Sequence, residues 1–308
     1  MPDRRSILLS LAAAATFSAP AQALGAPVRL PLWPDWPPGG GGPHGPFARD
    51  DSGAVSNVAT PVIEVFSPSK PNGVAMLVLG GGGYTRIGIV KEAFPAAFWL
   101  ASEGITAFVL TYRLPMEGWD DGPIVSLQDG QRAVRVIRAN AERFRIDPNR
   151  LGVMGFSAGG HLAGMIAARS AFRSYPRVDA VDELSARPDF ANLIYPVVSL
   201  QPPFDRTQTR RSLVGENPTP AASEEWSLQT YIRAGMPKLF LVQADDDRVI
   251  SPENSRVLDE ACRGAGVPVE YHRFAVGGHG FGIGRSEAPV ALWPRLCRLW
   301  LTSVSVLT

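Results

Sequence analysis

The chain has 308 residues with a formal net charge of +1, and 45% of its residues are hydrophobic against 19% charged. Those proportions suit a globular chain and not a disordered one, and the near-neutral balance, without a basic stripe, leaves no electrostatic footprint for nucleic acid. The length allows one large α/β domain with a full core, or two small domains.

Residues Met1–Ala23 read as an export signal and are set apart from the fold. Arg4-Arg5 precede the apolar run Ile7–Ala15, and Ala21-Gln22-Ala23 is a small-x-small cleavage site. The run is too short to span a bilayer, so no membrane anchor is expected. The paired arginines resemble a twin-arginine signal, which places the mature chain in the periplasm or outside the cell.

From Pro27 to Asn57 the chain is rich in Pro and Gly, and is expected to wrap the surface as irregular structure. Val62–Phe66 reads as a strand and Ser67–Gly73 as a turn. Val74–Leu79 is a continuous apolar run, the mark of a strand covered on both faces, and it ends in Gly80-Gly81-Gly82-Gly83. A helix is predicted from Lys91 to Ser102, a strand over Ile105–Thr111, and a helix over Gln128–Phe144 that stops before Asp147-Pro148. Further strands are predicted at Leu151–Met154, Leu193–Val198, Leu239–Ala244 and Val267–Phe274, with helices at Arg256–Cys262 and Leu292–Leu301. Strands alternating with helices imply a mostly parallel sheet covered on both faces. Only the segment between Ser199 and Gly235 is a sizeable insertion, too short for a large lid, so 24–308 reads as a single domain with an open site.

Chemistry centres on Gly155-Phe156-Ser157-Ala158-Gly159. The pattern G-x-S-x-G is weak alone, but here a predicted strand precedes it and an apolar, Ala-rich helix follows. So sharp a turn crowds the backbone, and glycines on either side relieve the clash. The turn lifts Ser157 above the sheet beside backbone N–H groups at a helix N-terminus, where negative charge is favoured.

A serine needs a base, and the base an orienting acid, in the chain order Ser, Asp or Glu, His. Of four histidines, His44 precedes the serine, His161 lies one turn along the elbow helix, where packing or capping is expected, and His272 sits within the last strand. His279 follows that strand in Gly277-Gly278-His279-Gly280-Phe281-Gly282, at a carboxyl end from which it could reach Ser157. The acid is one of Asp245, Asp246 and Asp247, which close the strand Leu239–Ala244; local physics does not choose among them. The glycine run after Val74–Leu79 stands where one half of an oxyanion hole is supplied. Neither a phosphate-binding nor a dinucleotide-binding pattern is completed there, so no cofactor or metal is implied.

Together with Tyr112-Arg113-Leu114, Arg187-Pro188-Asp189-Phe190 and Tyr195-Pro196, these motifs resemble the α/β-hydrolase serine esterases. The nearest likeness is to bacterial acetylxylan-esterase-like (xylanase-associated esterase) proteins, related to the hormone-sensitive-lipase group, and it runs from Leu32-Trp33-Pro34 to about Trp300. The resemblance implies Ser157 as nucleophile, His279 as base and Asp247 as acid, since the family's acid precedes a turn matched here by Val249-Ile250-Ser251 and Glu253-Asn254-Ser255. It implies the N–H groups of Gly82, Gly83 and Ala158 as oxyanion donors, and a structural Tyr112-Arg113, with Arg113 facing Asp129. Three positions depart from the family: Gly80 for Pro or His, Gln243-Ala244 for His-Gly, and Lys91-Glu92-Ala93 for Lys-Glu-Gly.

The function so implied is hydrolysis of short-chain esters, acetyl above all, on plant-type carbohydrate such as xylan or its oligosaccharides. The alternatives are a peptidase or acyltransferase on the same triad, or a carbohydrate-binding relative that no longer turns over. Trp119 and Trp226 are candidate stacking faces for sugar rings, with packing as the other reading. Cys262 and Cys297 are expected to stay free thiols, because in proteins of this resemblance their two helices cover opposite faces of the sheet, too far apart for a disulfide.

Overall fold

The apolar runs are buried on both faces because they lie in the middle of one sheet. The computed structural model describes residues 28–284 and 287–307, so the export segment predicted over 1–23 lies outside the described residues. Eight strands form the sheet: β1 (Val28–Pro31), β4 (Val62–Phe66), β5 (Ala75–Leu79), β6 (Thr106–Thr111), β7 (Leu151–Phe156), β8 (Phe190–Ile194), β9 (Lys238–Ala244) and β10 (Val269–Phe274). Their spatial order is β1-β4-β6-β5-β7-β8-β9-β10. β4 pairs antiparallel with β1 and β6, and every pairing from β6 through β10 is parallel. A separate hairpin joins β2 (Ala48–Arg49) to β3 (Val55–Ser56).

The helices are α1 (Phe94–Ser102), α2 (Val125–Ala139), α3 (Ala141–Phe144), α4 (Ala158–Ala168), α5 (Gln208–Val214), α6 (Pro220–Glu225), α7 (Glu253–Gly264) and α8 (Trp293–Ser303). One face of the sheet carries α1 and α8, joined by the edge-to-face contact of Trp99 with Trp293. The other carries α2, α4 and α7, with α2 packed on α4 and the turn Leu228–Tyr231 between α4 and α7. Every residue of α4 is buried, as a helix wedged between the sheet and a second helix layer must be.

Several boundaries differ from the sequence reading for local reasons. The Pro- and Gly-rich arm is not wholly irregular: it supplies β1, an edge strand whose Pro31 ends the pairing, and both strands of the hairpin. The helix predicted over Gln128–Phe144 starts at Val125 and breaks at Asn140 (φ −103°, ψ 18°), giving α2 and α3. The strand predicted over Leu193–Val198 runs instead from Phe190 to Ile194. Tyr195 turns out of it at φ 40°, and the N–H of Val198 is taken by Asn254 Oδ1 at 3.2 Å.

The arm is locked down through one buried ion pair. Arg113 and Asp129 are both fully buried, 2.8 Å apart, and Trp33 Nε1 donates to the same carboxylate at 2.9 Å. Arg113 also reaches the carbonyl of Pro38 and the side chain of Gln128, so the pair is hydrogen-bonded on every side, as a buried charge must be.

Cys262 on α7 and Cys297 on α8 are buried and unpaired. Ser255 of α7 donates to Gln243 and Asn192 Nδ2 reaches Cys297 Sγ at 3.0 Å; Asn192 stands beside Phe240, three residues from Gln243 on β9, so the helices cover opposite faces. Burial pushes the Cys262 thiol up to about 12 and raises that of Cys297 as well. Thiol titration without reductant should therefore find two reactive groups per chain in denaturant and almost none in the native protein. A count of zero in denaturant would require a disulfide that this geometry forbids.

Candidate active site

Ser157 occupies the single residue between β7 and α4, at φ 52° and ψ −117°. That region costs a non-glycine residue of order 1–3 kcal/mol and persists only where the surroundings enforce it. Here the carbonyl of Ile194 accepts the Ser157 N–H at 2.9 Å, and the Ser157 carbonyl accepts the His161 N–H at 3.0 Å. The flanking glycines are obligatory. A Cβ on Gly155 would overlap the Gly159 carbonyl, and one on Gly159 would overlap the carbonyl of Leu79 at the end of β5.

His279 reaches Ser157 from two strands beyond β8, across the carboxyl ends of β8 and β9. Its Nε2 lies 2.9 Å from Ser157 Oγ and its Nδ1 2.7 Å from Asp247 Oδ2. Since an ionised carboxylate only accepts, Nδ1 carries the proton and Nε2 accepts the serine O–H. Asp247 is buried, with four donors on its two oxygens: His279, Gln243 Nε2 at 3.0 Å, and the N–H groups of Val249 and Ile250, both at 2.9 Å. Burial acts to raise its pKa. The hydrogen bond and attraction from His279, with the Ile250 and Val249 amides, outweigh that and hold the carboxyl below its ordinary value.

The three consecutive aspartates divide the work. Asp247 meets the histidine, Asp246 accepts the N–H groups of Gly277 and Gly278 at 2.9 and 2.7 Å and so shapes the histidine loop, and Asp245 pairs with Arg273 at the surface. Gln243, one of the departures noted in the sequence, is fully buried and bridges Asp247 to Ser255.

On the other side of Ser157 runs the glycine loop. Tyr112 O–H ties down the Gly80 carbonyl at 2.7 Å, which steadies a position where the sequence departs from its relatives. The Gly81 N–H is already engaged by Glu92 Oε2 at 2.6 Å. Those of Gly82 (φ 125°) and Gly83 (φ 65°) donate to no group among the described residues, and Ala158 is the first residue of α4, whose N–H has no acceptor within the helix. Among the described residues the three N–H groups named from the sequence are thus unspent; Gly82 and Gly83 line the cleft with Ser157, and Ala158 is the next residue in the chain.

The cleft over these groups measures about 690 Å³. The insertion, folded as α5, α6 and the turn Leu228–Tyr231, forms a side wall through Arg206–Thr209 and Arg211. Most of the side chains that line it carry a polar group; among the described residues Val249 and Ile250 are the only apolar side chains there larger than alanine.

The remaining candidates fall outside the cleft. Trp119 and Trp226, 4% and 6% exposed, cannot present a face to a sugar: Trp119 stacks on the Arg113 guanidinium at 4.9 Å, and Trp226 packs beside α4. Of the two readings open for these residues, packing holds and sugar stacking does not. His272 pairs with Glu270 within β10, and His44 is exposed beside Trp36. Sequence reasoning missed two buried groups, Glu92 and Tyr195. In the sequence Glu92 stands out only within the departure Lys91-Glu92-Ala93; an acid beside Ile89, Val90 and Ala93 is the local signal of its burial.

The class of protein is that of the α/β-hydrolases, with the serine after the central strand and its partners after the last two. Within it the chain belongs to the BD-FAE family, whose model matches residues 65–262. The acetylxylan esterase of Xylanibacter ruminicola is 30% identical over 223 residues, 71% of this chain and 43% of that protein. Endo-1,4-beta-xylanase B of Butyrivibrio fibrisolvens is 34% identical over 212 residues, 69% of this chain and 33% of that protein. The chain thus spans less than half the length of either relative. Among solved structures, the acetyl ester-xyloside bifunctional hydrolase of Caldicellulosiruptor lactoaceticus matches with a TM-score of 0.78 at 32% identity, covering 94% of this chain and all of that one.

His161 serves the elbow from within. It is wholly buried, accepts the Tyr84 O–H on Nδ1 at 2.9 Å and donates from Nε2 to the Trp226 carbonyl at 2.7 Å. Burial lowers its pKa to about 4 from an ordinary 6.5, against the opposing pull of that carbonyl. A pKa lowered in the folded state means that the unfolded chain binds the proton first as pH falls. Stability is therefore full above about pH 6.5 and declines below it, by roughly 3 kcal/mol at pH 4. Urea unfolding from pH 7 to 4 should show this loss, and a His161→Gln variant should show a slope smaller by about one proton over that range.

Proposed function

We propose that this chain is a serine carboxylesterase that removes short acyl groups, acetyl above all, from xylan-type carbohydrate. The observation that carries the reading is the unbroken hydrogen-bonded series Ser157–His279–Asp247, opening on a cleft beside three unspent backbone donors. In the reaction His279 Nε2 takes the Ser157 proton as Oγ attacks the ester carbonyl. The N–H groups of Gly82, Gly83 and Ala158 hold the developing oxyanion, and Asp247 keeps the imidazole in the required tautomer and stabilises its charged form. His279 then gives the proton to the departing sugar oxygen as its bond to the acyl carbon breaks, so that the sugar leaves as an alcohol. Water, activated by the same histidine, releases the acid from the acyl enzyme.

The substrate class rests on the family, on the names of the relatives and on the cleft itself. A wall of Thr85, Arg86, Thr207 and Gln208 suits a hydroxyl-rich alcohol better than an aliphatic one. Export to the periplasm or beyond is part of the same proposal, resting on Arg4-Arg5, the apolar run and Ala21-Gln22-Ala23.

Two experiments test the reading. Against 4-nitrophenyl esters, acetyl and propionyl should be cleaved at least about tenfold faster than octanoyl, and Ser157→Ala should retain under about 0.1% of wild-type kcat. Acid release from acetylated xylan checks the carbohydrate half; a rate optimum at eight carbons or more would overturn it. In the aspartate triplet, Asp247→Asn should lower kcat by about 10³–10⁴-fold, because the amide would donate toward Nδ1 and leave the wrong tautomer facing Ser157. Asp246→Asn should cost less than about tenfold and Asp245→Asn almost nothing. The largest loss at Asp246 would move the acid by one position.

A further inference from the structure

The reaction described above makes no use of Glu92, although its buried carboxyl forms part of the wall of the same cleft. Glu92 lies on a π-helical turn, Ile89–Ala93, a widened turn of a kind often found at functional sites. Both of its oxygens are engaged. Oε2 accepts the Gly81 N–H at 2.6 Å and Oε1 accepts the Tyr195 O–H at 2.8 Å. Tyr195 Oη in turn accepts the Gly282 N–H at 3.1 Å. The Tyr195 ring meets the rings of His279 and Phe281 edge-on, with centroids 4.9 and 4.4 Å away. One carboxylate therefore ties the residue before Gly82 and Gly83 to the loop that carries His279.

The space around it is fitted to that task. A Cβ on Gly88 would stand 2.8 Å from Glu92 Oε2, and one on Gly81 would stand 3.0 Å from the same oxygen. The Gly88 N–H also holds the Gly81 carbonyl at 2.8 Å, so both sides of Gly81 are pinned. Gly82 and Gly83 lie at positive φ, where glycine has wide freedom, so their N–H directions depend on how firmly the preceding residue is held. Burial raises the pKa of Glu92, opposed by the Gly81 and Tyr195 hydrogen bonds and by attraction to His279.

We propose that Glu92 is a positioning residue for the acyl transfer, holding the Gly82 and Gly83 N–H groups in line with Ser157 and, through Tyr195, steadying the His279 loop. The inference rests on the esterase reading. It differs from plain structural burial in what it predicts: stabilisation of the tetrahedral state should suffer more than binding of the ester.

The test uses Glu92→Gln and Tyr195→Phe in the full chain, singly and together. For each, kcat and KM on 4-nitrophenyl acetate, the affinity for an alkylboronic acid that adds to Ser157 Oγ as a tetrahedral anion, and the melting temperature are measured. Glu92→Gln should lower kcat by about 10–100-fold with KM within about threefold, and weaken the boronate by a similar factor. Tyr195→Phe should cost about 3–10-fold, since the Gly81 contact survives. The pair should cost no more than Glu92→Gln alone, because both act through one network. Wild-type kcat and boronate affinity in the variants, even with a lowered melting temperature, would overturn the proposal. Should Glu92→Gln fail to fold, Tyr195→Phe, which keeps the buried ring, decides alone. Failure of the esterase reading would look different: no turnover by the wild type, or undiminished turnover by Ser157→Ala.

Discussion

The approach of α4 to the end of β5 is the contact on which the site depends. Gly159 sits so close to the carbonyls of Leu79 and Gly80 that no side chain fits between them. This closeness brings the start of α4 alongside the glycine loop that continues from β5, so that two distant stretches of sequence meet at the cleft. It also forces Ser157 into a conformation that L-residues avoid, and projects its hydroxyl into the cleft instead of the core. The strain is of order 1–3 kcal/mol, small against the burial of β5, β7, β8 and α4, whose residues are covered almost completely.

Sheet order does the rest. The donors follow β5, the serine follows β7, the acid follows β9 and the histidine follows β10, so the reacting groups come from neighbouring strand ends in a row. The one gap in that row is β8, and Tyr195 fills it. Its positive φ turns the chain off the strand and sets its ring under His279, while its hydroxyl reaches Glu92 on the far side of Ser157. The loop that brings the histidine across two strand ends has Gly278, Gly280 and Gly282 at positive φ, and Tyr195 adds to the hold that Asp246 and Trp293 already have on it.

Much of this was legible in the sequence because it is local. The continuous apolar runs, the glycines bracketing Ser157 and the loop position of His279 each declare themselves within about ten residues. The resemblance to known esterases was needed where neighbours look alike, as among Asp245, Asp246 and Asp247, whose partners lie 28 to 32 residues away. The unread features are long-range. β1 is four residues with little alternation, and pairs only because β4 offers an edge. Trp119 looked like a loop aromatic, but Arg113, six residues earlier, folds beneath it. Gln243 read as a departure from the family, yet its amide donates to Asp247, a bond invisible until both positions are placed.

Buried polar groups in this molecule show two different physical uses. Arg113 and Asp129 join the arm to α2 and β6 away from the cleft; full pairing is enough there, and small displacements of the partners would have no chemical consequence. Around Ser157 the same kind of bonding carries geometric information. Four donors on Asp247 leave its carboxylate one orientation, and that orientation fixes which nitrogen of His279 bears the proton. An apolar replacement of equal volume could serve in the first case, as it often does for buried ion pairs. In the second it could not, because a hydrophobic contact is non-directional and cannot select between two tautomers of an imidazole.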